Sequence, residues 1–352
     1  MAENSKIEWC DHTFNPWLGC TKVSPACDNC YAEQWGKRFG VEWGAGKERK
    51  RTSASNWKLP LRWNRNAELK FKAWKKFKET QFGLTEGDLL EQGFIKPQRP
   101  RVFCGSLCDV FDNAVPDEWR IDLFNLIWKT PHLNWLLLTK RIGNALAMLA
   151  EATAILEFGD PDIEPWTTDK PWPHVWLGTT VCNQEEADRD IPKLLQTPAA
   201  VRFLSIEPML EKIDLSKWLI QFRCHLCGHE SIKKVDGFVC QECNREAMGN
   251  HHFSLAIDQV IVGGESGKNA RQMHPDWSRN IRDQCAAAGV PFMFKQWGEY
   301  HPSMWIEGGR LNVASFSYKT TKCAGTEMVR VGKKAAGRLL DGVLHDEYPR
   351  IA

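Results

Sequence analysis

The sequence predicts an α/β fold, specifically a TIM-like βα barrel that is either complete or incomplete. Short runs rich in β-branched and aromatic residues recur along the chain and alternate with segments of helical periodicity, a pattern typical of parallel βα units. Each run ends in polar or small residues, and in α/β barrels the functional groups gather at the C-terminal ends of the strands. We therefore favour a barrel over an open doubly wound sheet.

The predicted strands are short and are spread over most of the chain. They cover residues 13–17, 101–107, 135–139, 175–181, 201–206, 259–263 and 291–296. Helices are predicted between them at residues 116–128, 185–195 and 277–288. In the first of these helices, Trp119, Leu123 and Ile127 recur with the spacing of one helix face. Helices in these places would let consecutive strands lie parallel in one sheet.

One segment, residues 222–253, interrupts this alternation. It has four cysteines, several charges and little apolar content, and it falls between two predicted strands. We therefore predict a first part of the barrel in residues 1–221, an insertion in 222–253 and the last part of the barrel in 254–300. Residues 301–352 have no clear period, and we expect hairpins or irregular structure in this C-terminal extension.

The cysteine content indicates metal binding rather than disulfides. The chain of 352 residues has 13 cysteines, but its N-terminus lacks the apolar stretch of a signal peptide, and it contains no run of 18 apolar residues. We therefore expect a cytoplasmic protein with no membrane span. In a reducing compartment, closely spaced cysteines are better explained as metal ligands.

Four cysteines in the interrupting segment predict a zinc ribbon. Cys224 and Cys227 form one CxxC pair, and Cys240 and Cys243 form a second pair twelve residues later. Each CxxC turn places two thiolates on one side of a tight knuckle, and two knuckles supply the tetrahedral shell that Zn²⁺ prefers. Because a closed shell has no open position for catalysis, we expect a structural zinc ion.

A second cysteine cluster, near the N-terminus, predicts an iron–sulfur site. Cys20, Cys27 and Cys30 have the spacing C-x6-C-x2-C, which suits a loop around a cluster. Three thiolates do not complete a zinc tetrahedron, but they can hold a [4Fe–4S] cluster with one iron open to another ligand. The alternative is a second zinc site in which Cys10 or His12 is the fourth ligand.

Two further cysteines, Cys104 and Cys108, lie four residues apart in a predicted strand. This spacing in a strand puts both sulfurs on the same face. We interpret them as a buried pair in the core, where free cysteines commonly lie.

The residues around the first three cysteines resemble a phage- and prophage-associated family with a three-cysteine motif. The matching residues are Ile7-Glu8-Trp9, Asn15-Pro16, Gly19-Cys20, Ser24-Pro25 and Cys27 to Ala32, followed by Trp57, Pro60 to Trp63 and Gly263 to Gly267. A cysteine triplet after the first strand of an α/β barrel is also similar to radical S-adenosylmethionine (SAM) enzymes such as spore photoproduct lyase. Their usual spacing is C-x3-C-x2-C with an aromatic residue before the third cysteine, whereas this chain has a gap of six and Asn29.

The resemblance implies a cofactor and a set of binding residues. The open iron would bind the amino and carboxylate groups of SAM, and an electron donor would supply the electron that cleaves a carbon–sulfur bond. Polar residues at the predicted strand ends would then contact SAM or the substrate. These candidates are Ser106, Asp109, Thr139, Lys140, Arg141, Thr179, Ser205, Glu207, Glu265 and Lys295.

A basic and aromatic segment makes nucleic acid a candidate partner. From Lys47 to Lys78 there are twelve Lys or Arg residues and only two acids, Glu48 and Glu68, with tryptophan and phenylalanine interleaved. Basic residues attract phosphates and aromatic rings stack on bases, although a solvated basic face would have the same composition. Together with the ribbon, this segment favours base modification or repair in nucleic acid.

Three functions therefore follow from the sequence. The first is a radical SAM-like [4Fe–4S] enzyme in the cytoplasm of a bacterium or a phage-infected host cell. The second is a zinc-stabilised nucleic-acid-binding module without catalysis, which would be colourless and insensitive to oxygen. The third is an iron–sulfur protein whose cluster serves sensing or structure without cleaving SAM.

Overall fold

The structure, a computed structural model, describes residues 2–166, 170–223, 230–231, 252–302 and 320–349. The four cysteines of the zinc ribbon lie outside the described residues, so the ribbon stays a prediction. Next to this segment, Ile220–Arg223 pairs antiparallel with Glu230–Ser231 and with His252–Leu255. These strands form a small sheet that is separate from the main one.

A curled parallel sheet forms the centre of the molecule. Its strands, in chain order, are β1 (His12–Phe14), β2 (Arg101–Cys104), β3 (Asn134–Thr139), β4 (Val175–Thr180), β5 (Val201–Ile206), β6 (Gln259–Gly263) and β7 (Phe292–Gln296). Their order in space equals their order in the chain, and every neighbouring pair is parallel. The sheet is a half-barrel, because within the described residues β1 and β7 do not pair with each other.

The longer helices lie between these strands in the chain. They are α1 (Tyr31–Arg38), α2 (Leu59–Glu79), α3 (Asp117–Trp128), α4 (Ile142–Gly159), α5 (Gln184–Gln196) and α6 (Pro275–Ala288). Helices α2 to α6 contribute buried residues to a core on the convex face of the sheet. In β3, Trp135 and Leu137 belong to this core, whereas Leu136 packs on the concave face. A doubly wound sheet would have helices on both faces, so the helices support the barrel-type arrangement.

Shorter elements complete the described structure. Ala2–Glu3 pairs antiparallel with β1 as an additional strand of the main sheet. A two-stranded hairpin after β1 pairs Trp17–Leu18 with Lys50–Arg51. The remaining short helices are Pro25–Cys27, Ala54–Trp57, Glu86–Glu91 and Lys333–Ala336. Near the C-terminus, Thr326–Arg330 lies between Tyr300–Pro302 and Thr320–Cys323 in an antiparallel sheet, and Leu339–Leu340 pairs with Val343–Leu344.

Local sequence explains where the helices begin and end. Helix α6 begins after His274, whose side chain accepts a hydrogen bond from the backbone N–H of Asp276, and Pro275 occupies its first turn. Proline is favoured there because its fixed φ fits the helix and the N–H that it lacks would have no partner. The helix ends at Gly289, which has a φ of 71°, a left-handed conformation that glycine adopts without strain.

Two predicted strands end three residues earlier in the structure than expected, and the other strand bounds differ by at most one residue. The strand predicted at 101–107 ends at Cys104, because Gly105 has a φ of 93° and turns the chain away from the sheet. The strand predicted at 13–17 ends at Phe14, and Trp17 belongs to the separate hairpin. Both differences lie at the same end of the sheet, where the chain leaves it to form loops.

Helix α4 is the one helix in the described part of the chain that could cross a membrane by its length and composition. Its buried residues include Ala145, Leu149 and Ala152, which belong to the convex core. Helices α3 and α5 flank it on this face. One face of α4 is therefore packed against the sheet and its neighbouring helices, although only 33% of the helix is buried.

Aromatic and aliphatic side chains fill the lower part of the concave face. The ring centroids of Trp9 and Phe103 are 4.4 Å apart, and Trp9 also contacts Phe203. Gly178 in β4 gives the Phe203 ring its space, since a Cβ at Gly178 would come within 2.4 Å of that ring. The lower interior of the half-barrel is therefore filled with packed side chains and is not an open channel.

The C-terminal residues cover the open edge of the half-barrel. Residues 345–347 lie beside β7, where the N–H of Phe294 donates to the carbonyl of His345 and the N–H of Glu347 to that of Phe292. The Tyr348 hydroxyl then donates to the carbonyl of Glu8 at 3.1 Å. Residues from the two ends of the chain thus meet across the gap between β1 and β7.

We predict that Gly178→Ala destabilises the protein by about 1–3 kcal/mol, because the Phe203 ring must leave its packed position. Gly159→Ala is the matched control, since a Cβ at Gly159 meets no atom within 4 Å. Urea unfolding should show a lower midpoint for Gly178→Ala at an unchanged m-value, and no loss for Gly159→Ala. Equal midpoints for the two variants would contradict the packing described here.

Candidate functional site

A cavity of about 460 Å³ opens at the C-terminal ends of the strands. Every strand of the half-barrel contributes to its wall, through residues at its end or in the loop that follows. The apolar cluster on the concave face lies beneath the cavity, and its members Trp9 and Phe103 form part of the cavity wall beside the polar residues. Small-molecule sites range from about 300 to 1,000 Å³, so a ligand of that size fits here.

The predicted SAM contacts converge on this cavity. The structure places Ser106, Asp109, Thr139, Lys140, Arg141, Ser205, Glu207, Glu265 and Lys295 in its wall. Thr179 lies elsewhere, because its buried hydroxyl donates to the Thr139 carbonyl at 3.2 Å. Its neighbour Thr180 lines the cavity instead, as expected from the alternation of side chains along a strand.

Residues 20–30, the cysteine loop, bring Cys20, Cys27 and Cys30 into the wall of the same cavity. The loop is partly helical, because Ser24 caps the short helix Pro25–Cys27 by accepting a hydrogen bond from Ala26. Within the described residues, no three His, Cys, Asp or Glu side chains are arranged as a group that could hold a metal ion. The three thiols therefore share a cavity without a preformed ligand geometry.

An ion pair holds the beginning of the cysteine loop. Arg141 lies 3.2 Å from the Asp109 carboxylate, and both side chains are almost fully buried. The same guanidinium donates to the Cys20 sulfur at 3.4 Å and to the carbonyl of Thr21 at 2.7 Å. Burial and the nearby charge of Asp109 raise the pKa of the Cys20 thiol to about 11, although Arg141 acts in the opposite direction.

Asp109 is itself fixed by several donors. One carboxylate oxygen accepts from the Thr139 hydroxyl at 2.7 Å and from the N–H of Phe111 at 3.0 Å. The other accepts from the N–H of Lys140 at 3.1 Å and from Arg141. These bonds join the ends of β2 and β3, so the first attachment of the cysteine loop is part of the rigid sheet edge.

A second ion pair holds the end of the cysteine loop. Arg271 donates to both carboxylate oxygens of Glu265, at 2.9 and 2.7 Å, and also reaches Asp28 and the carbonyl of Pro25. The Asn29 side chain donates to the same carboxylate at 3.0 Å. Burial alone would raise the pKa of Glu265, but the hydrogen bonds from Arg271 and Asn29 outweigh it and lower that pKa. The positive charge of Arg271 thus compensates the negative charge of the Glu265 carboxylate.

Deeper in the cavity, Lys295 and Glu207 form a third pair. The Lys295 ammonium lies 2.8 Å from one oxygen of Glu207, and the Ser205 hydroxyl donates to the other at 3.2 Å. Burial acts to lower the pKa of Lys295, but the Glu207 charge outweighs it and raises that pKa. Gly263 gives the carboxylate its space, since a Cβ there would lie 2.7 Å from Glu207 Oε1.

The prediction that Cys104 and Cys108 form a buried core pair is confirmed for Cys104 and holds only in part for Cys108. Cys104 is fully buried in the convex core. Cys108 lies beyond the turn at Gly105, packs against the same core while only partly buried, and also lines the cavity. The strand ends before Cys108, so the alternation rule that places both sulfurs on one face does not apply to it.

The two residues suggested as fourth ligands lie away from this wall. Cys10 is buried in the concave apolar cluster, with its thiol toward the carbonyl of Ile7 at 3.8 Å. The His12 ring stacks on Trp63, with centroids 4.3 Å apart, and Trp63 belongs to the convex core. Neither residue lines the cavity.

Four residues of the site carry no sequence signal that predicts their role. Tyr31, Trp43 and Lys333 line the cavity, and Arg271 ties the cysteine loop to Glu265. Tyr31 follows Cys30 directly in the sequence, and this adjacency is the one indication that its side chain lies at the site. Lys333 is distant in sequence from every strand end, and only the folding of the C-terminal extension brings it to the cavity.

The fold and the site define a class, an α/β protein with a parallel half-barrel and a cysteine-lined cavity at the C-terminal ends of its strands. Residues 4–349 match a family described as "Protein of unknown function (DUF5131)", and the chain belongs to this family. Neither the curated proteins nor the solved structures that were compared with the chain include a match.

We predict that Arg271→Met loosens the cysteine loop and costs about 3 kcal/mol of stability, because it leaves the buried Glu265 carboxylate without its ionic partner. Arg279→Met is the control, since Arg279 pairs with Asp276 and Asp341 at the surface. Hydrogen exchange should speed up at the amides of residues 26–30 in Arg271→Met alone. If both variants exchange at the wild-type rate there, Arg271 does not hold the loop.

Proposed function

We propose that this protein is a radical SAM-like iron–sulfur enzyme of the cytoplasm, with a [4Fe–4S] cluster at Cys20, Cys27 and Cys30. One observation carries the proposal. The three cysteines line the same cavity as the polar residues at the ends of the parallel strands. A cluster held there would face the groups that are predicted to bind SAM.

The residues present fit such a cluster by their chemistry. Three thiols on one short loop supply three sulfur ligands, which leaves one iron of a four-iron cluster for an exogenous ligand. The loop is fixed at its two ends by Arg141 and Arg271, and Arg141 also donates to the Cys20 sulfur at 3.4 Å. When bound, the cluster would supply the electron that cleaves a carbon–sulfur bond of SAM.

The charges in the cavity wall suggest how SAM would be bound. Arg141 and Lys295 are already neutralised by Asp109 and Glu207. The Lys140 ammonium has no carboxylate partner among the described residues and contacts the Thr180 hydroxyl at 3.3 Å. Lys140, at the end of β3, is therefore a cation available for the SAM carboxylate.

Other residues of the wall can orient the remaining polar groups of SAM. The Ser106 hydroxyl accepts from the Asn15 side-chain amide at 3.0 Å and keeps a second lone pair for an amino or ribose group. Ser205 and Glu207 can accept from ribose hydroxyls. The apolar cluster beneath the cavity excludes water from the lower side of the ligand, which strengthens these polar contacts.

The second candidate function is a zinc-stabilised binding module without catalysis. Cys108 favours it, since this thiol lines the cavity together with Cys20, Cys27 and Cys30. Four thiolates would form a closed zinc shell with no open position. The two functions therefore assign different roles to Cys108, and metal analysis of variants separates them.

We expect anaerobically purified protein to contain about four irons and four sulfides per chain, and about one zinc in the ribbon. Cys20→Ala, Cys27→Ala and Cys30→Ala should each lose the iron. Cys323→Ala is the control, because Cys323 lies in the C-terminal sheet and not in the cavity. Cys108→Ala should keep its iron.

Two zinc ions, no iron and no colour would overturn the cluster, and loss of a metal in Cys108→Ala would support the closed zinc shell. For protein that contains iron, incubation with SAM and a reductant tests catalysis. Release of 5′-deoxyadenosine supports the enzyme. An intact cluster that leaves SAM uncleaved would indicate a sensing or structural role instead.

Lys140→Met should weaken SAM binding roughly 10- to 100-fold, because a hydrogen bond to a charged group contributes about 1.5–3 kcal/mol. Lys22→Met is the control, since Lys22 lines the same cavity but is paired with Glu33 at 3.0 Å. Calorimetric titration of SAM into the reconstituted protein measures both effects. Equal affinities for the two variants would remove Lys140 from the binding site.

A further inference from the structure

Three lysines without ionic partners lie on the β6–β7 side of the cavity mouth. Lys268 follows β6, and Lys333 and Lys334 lie in the short helix Lys333–Ala336. All three are exposed, and within the described residues none of their side chains makes a salt bridge or a hydrogen bond. Lys333 reaches the cavity itself and forms part of its wall.

Glu299 holds the two segments that carry these lysines. Its side chain accepts from the N–H of Gly267 at 3.1 Å, and its carbonyl accepts from the N–H groups of Val331 and Gly332 at 3.0 and 3.1 Å. Arg330 donates to the carbonyl of Gly267 at 2.9 Å and pairs with the Glu299 carboxylate. Lys268 and Lys333, which follow Gly267 and Gly332, are thus fixed at one edge of the cavity mouth. The acid between them, Glu299, is already paired with Arg330.

Most of the other cations near the cavity differ in this respect. Arg141, Lys295 and Lys22 each have a carboxylate partner, and Lys140, which has none among the described residues, contacts the Thr180 hydroxyl. Surface cations that have no acid nearby attract an anion most strongly when they are clustered. A ligand group with more than one negative charge, such as a phosphate or a run of phosphates, suits three such lysines better than a single carboxylate does.

An aromatic ring accompanies these lysines in the same cavity. Tyr31 lines the wall, and 56% of its surface is exposed. Its hydroxyl donates to the carbonyl of Ser106 at 2.8 Å, which holds the ring in place. A fixed and exposed ring is a surface on which a nucleobase can stack. An aromatic ring and nearby cations are the two elements with which proteins bind single-stranded nucleic acid.

The basic segment predicted from the sequence is directed elsewhere. Six of its twelve cations are paired with carboxylates, namely Lys47, Arg49, Arg51, Arg62, Lys72 and Lys78. Just before α2, Asn56 contacts Asn15 at the cavity end of β1. Further along α2, Phe71 stacks on His132, which precedes β3. Helix α2 therefore runs from the cavity end of the sheet toward the opposite end, and most of its cations lie away from the cavity.

We propose that Lys268, Lys333 and Lys334 form a phosphate-binding rim, and that the substrate is a nucleotide unit whose base stacks on Tyr31. The rim deepens the proposed function because it names the substrate class. It rests on that function in one respect only, namely that the cavity is the active site. The phosphate can come from a free nucleotide or from a nucleic-acid strand, and the two sources have different salt dependence.

The test measures binding and not turnover, so it gives a result whether or not SAM is cleaved. Fluorescence anisotropy follows a labelled single-stranded 12-mer DNA at several salt concentrations, with adenosine monophosphate as a separate competitor. The rim variant is Lys268→Gln, Lys333→Gln and Lys334→Gln combined. The matched control removes the same charge from α2 in Arg65→Gln, Lys70→Gln and Lys76→Gln, three exposed residues without salt bridges in the described part of the chain.

We expect the rim variant to bind the strand about tenfold more weakly or worse, and its salt slope to fall by about 2, since each contact with a single strand contributes about 0.7 to the slope. The α2 variant should bind like the wild type. Tyr31→Ala should lose at least about fivefold in affinity, whereas Tyr31→Phe keeps the ring and its affinity. Lysine-dependent binding of the mononucleotide without the strand supports the rim and identifies a free nucleotide as the phosphate source.

Three results would overturn the rim. Equal losses in the two triple variants would mean that net charge alone attracts the DNA. A loss confined to the α2 variant would instead support the segment from Lys47 to Lys78. Strand and mononucleotide binding that does not depend on the rim lysines would exclude a phosphate site there. A failed SAM cleavage assay with intact rim-dependent binding would reject the radical chemistry and keep the rim.

Discussion

The site depends on pairs of oppositely charged side chains that are buried at the C-terminal edge of a parallel sheet. The Asp109–Arg141 and Glu265–Arg271 pairs attach opposite ends of one loop to the ends of β3 and β6. A buried carboxylate that loses its cation is left with an uncompensated charge, which costs far more than the pair contributes as a whole. Each pair therefore resists separation, and the three cysteines are held above the apolar interior of the half-barrel.

Glycine makes this arrangement geometrically possible. The carboxylate of Glu207 occupies space that a side chain at Gly263 would take. Gly298 has a φ of 85°, and a Cβ there would come within 2.2 Å of the Glu265 carbonyl. Close backbone approach beside β7 thus brings charged groups from neighbouring strand ends into one small volume. A half-barrel with ordinary side chains at these positions would have a wider and less polar mouth.

Much of the fold could be predicted because buried parallel strands have near-continuous apolar sequences. The runs at 201–206 and 259–263 match the observed β5 and β6 in their bounds. The end of β2 was harder to place, since the turn depends on the φ of Gly105 and not on hydrophobicity. That turn also determines the position of Cys108, which lies between the convex core and the cavity and contacts both.

The strand-end rule placed nine of its ten candidate residues in the cavity wall, but it could not rank them. Whether a lysine is free or paired depends on contacts across the sheet, as between Lys295 and Glu207. Similarly, Thr179 and Thr180 differ only in which face of the strand they occupy. Lys333 was beyond prediction, because a distant segment carries it to the mouth.

The covering of the open edge by residues 345–348 has a consequence for the order of events during biosynthesis. A ribosome makes β1 first, but the Glu8 carbonyl meets Tyr348 only after nearly the whole chain has emerged. The edge of β7 is likewise uncovered until His345 has been made. The cysteine loop is likewise synthesised early, and its thiols stay exposed to solvent until residues such as Arg271 and Lys333 have been made.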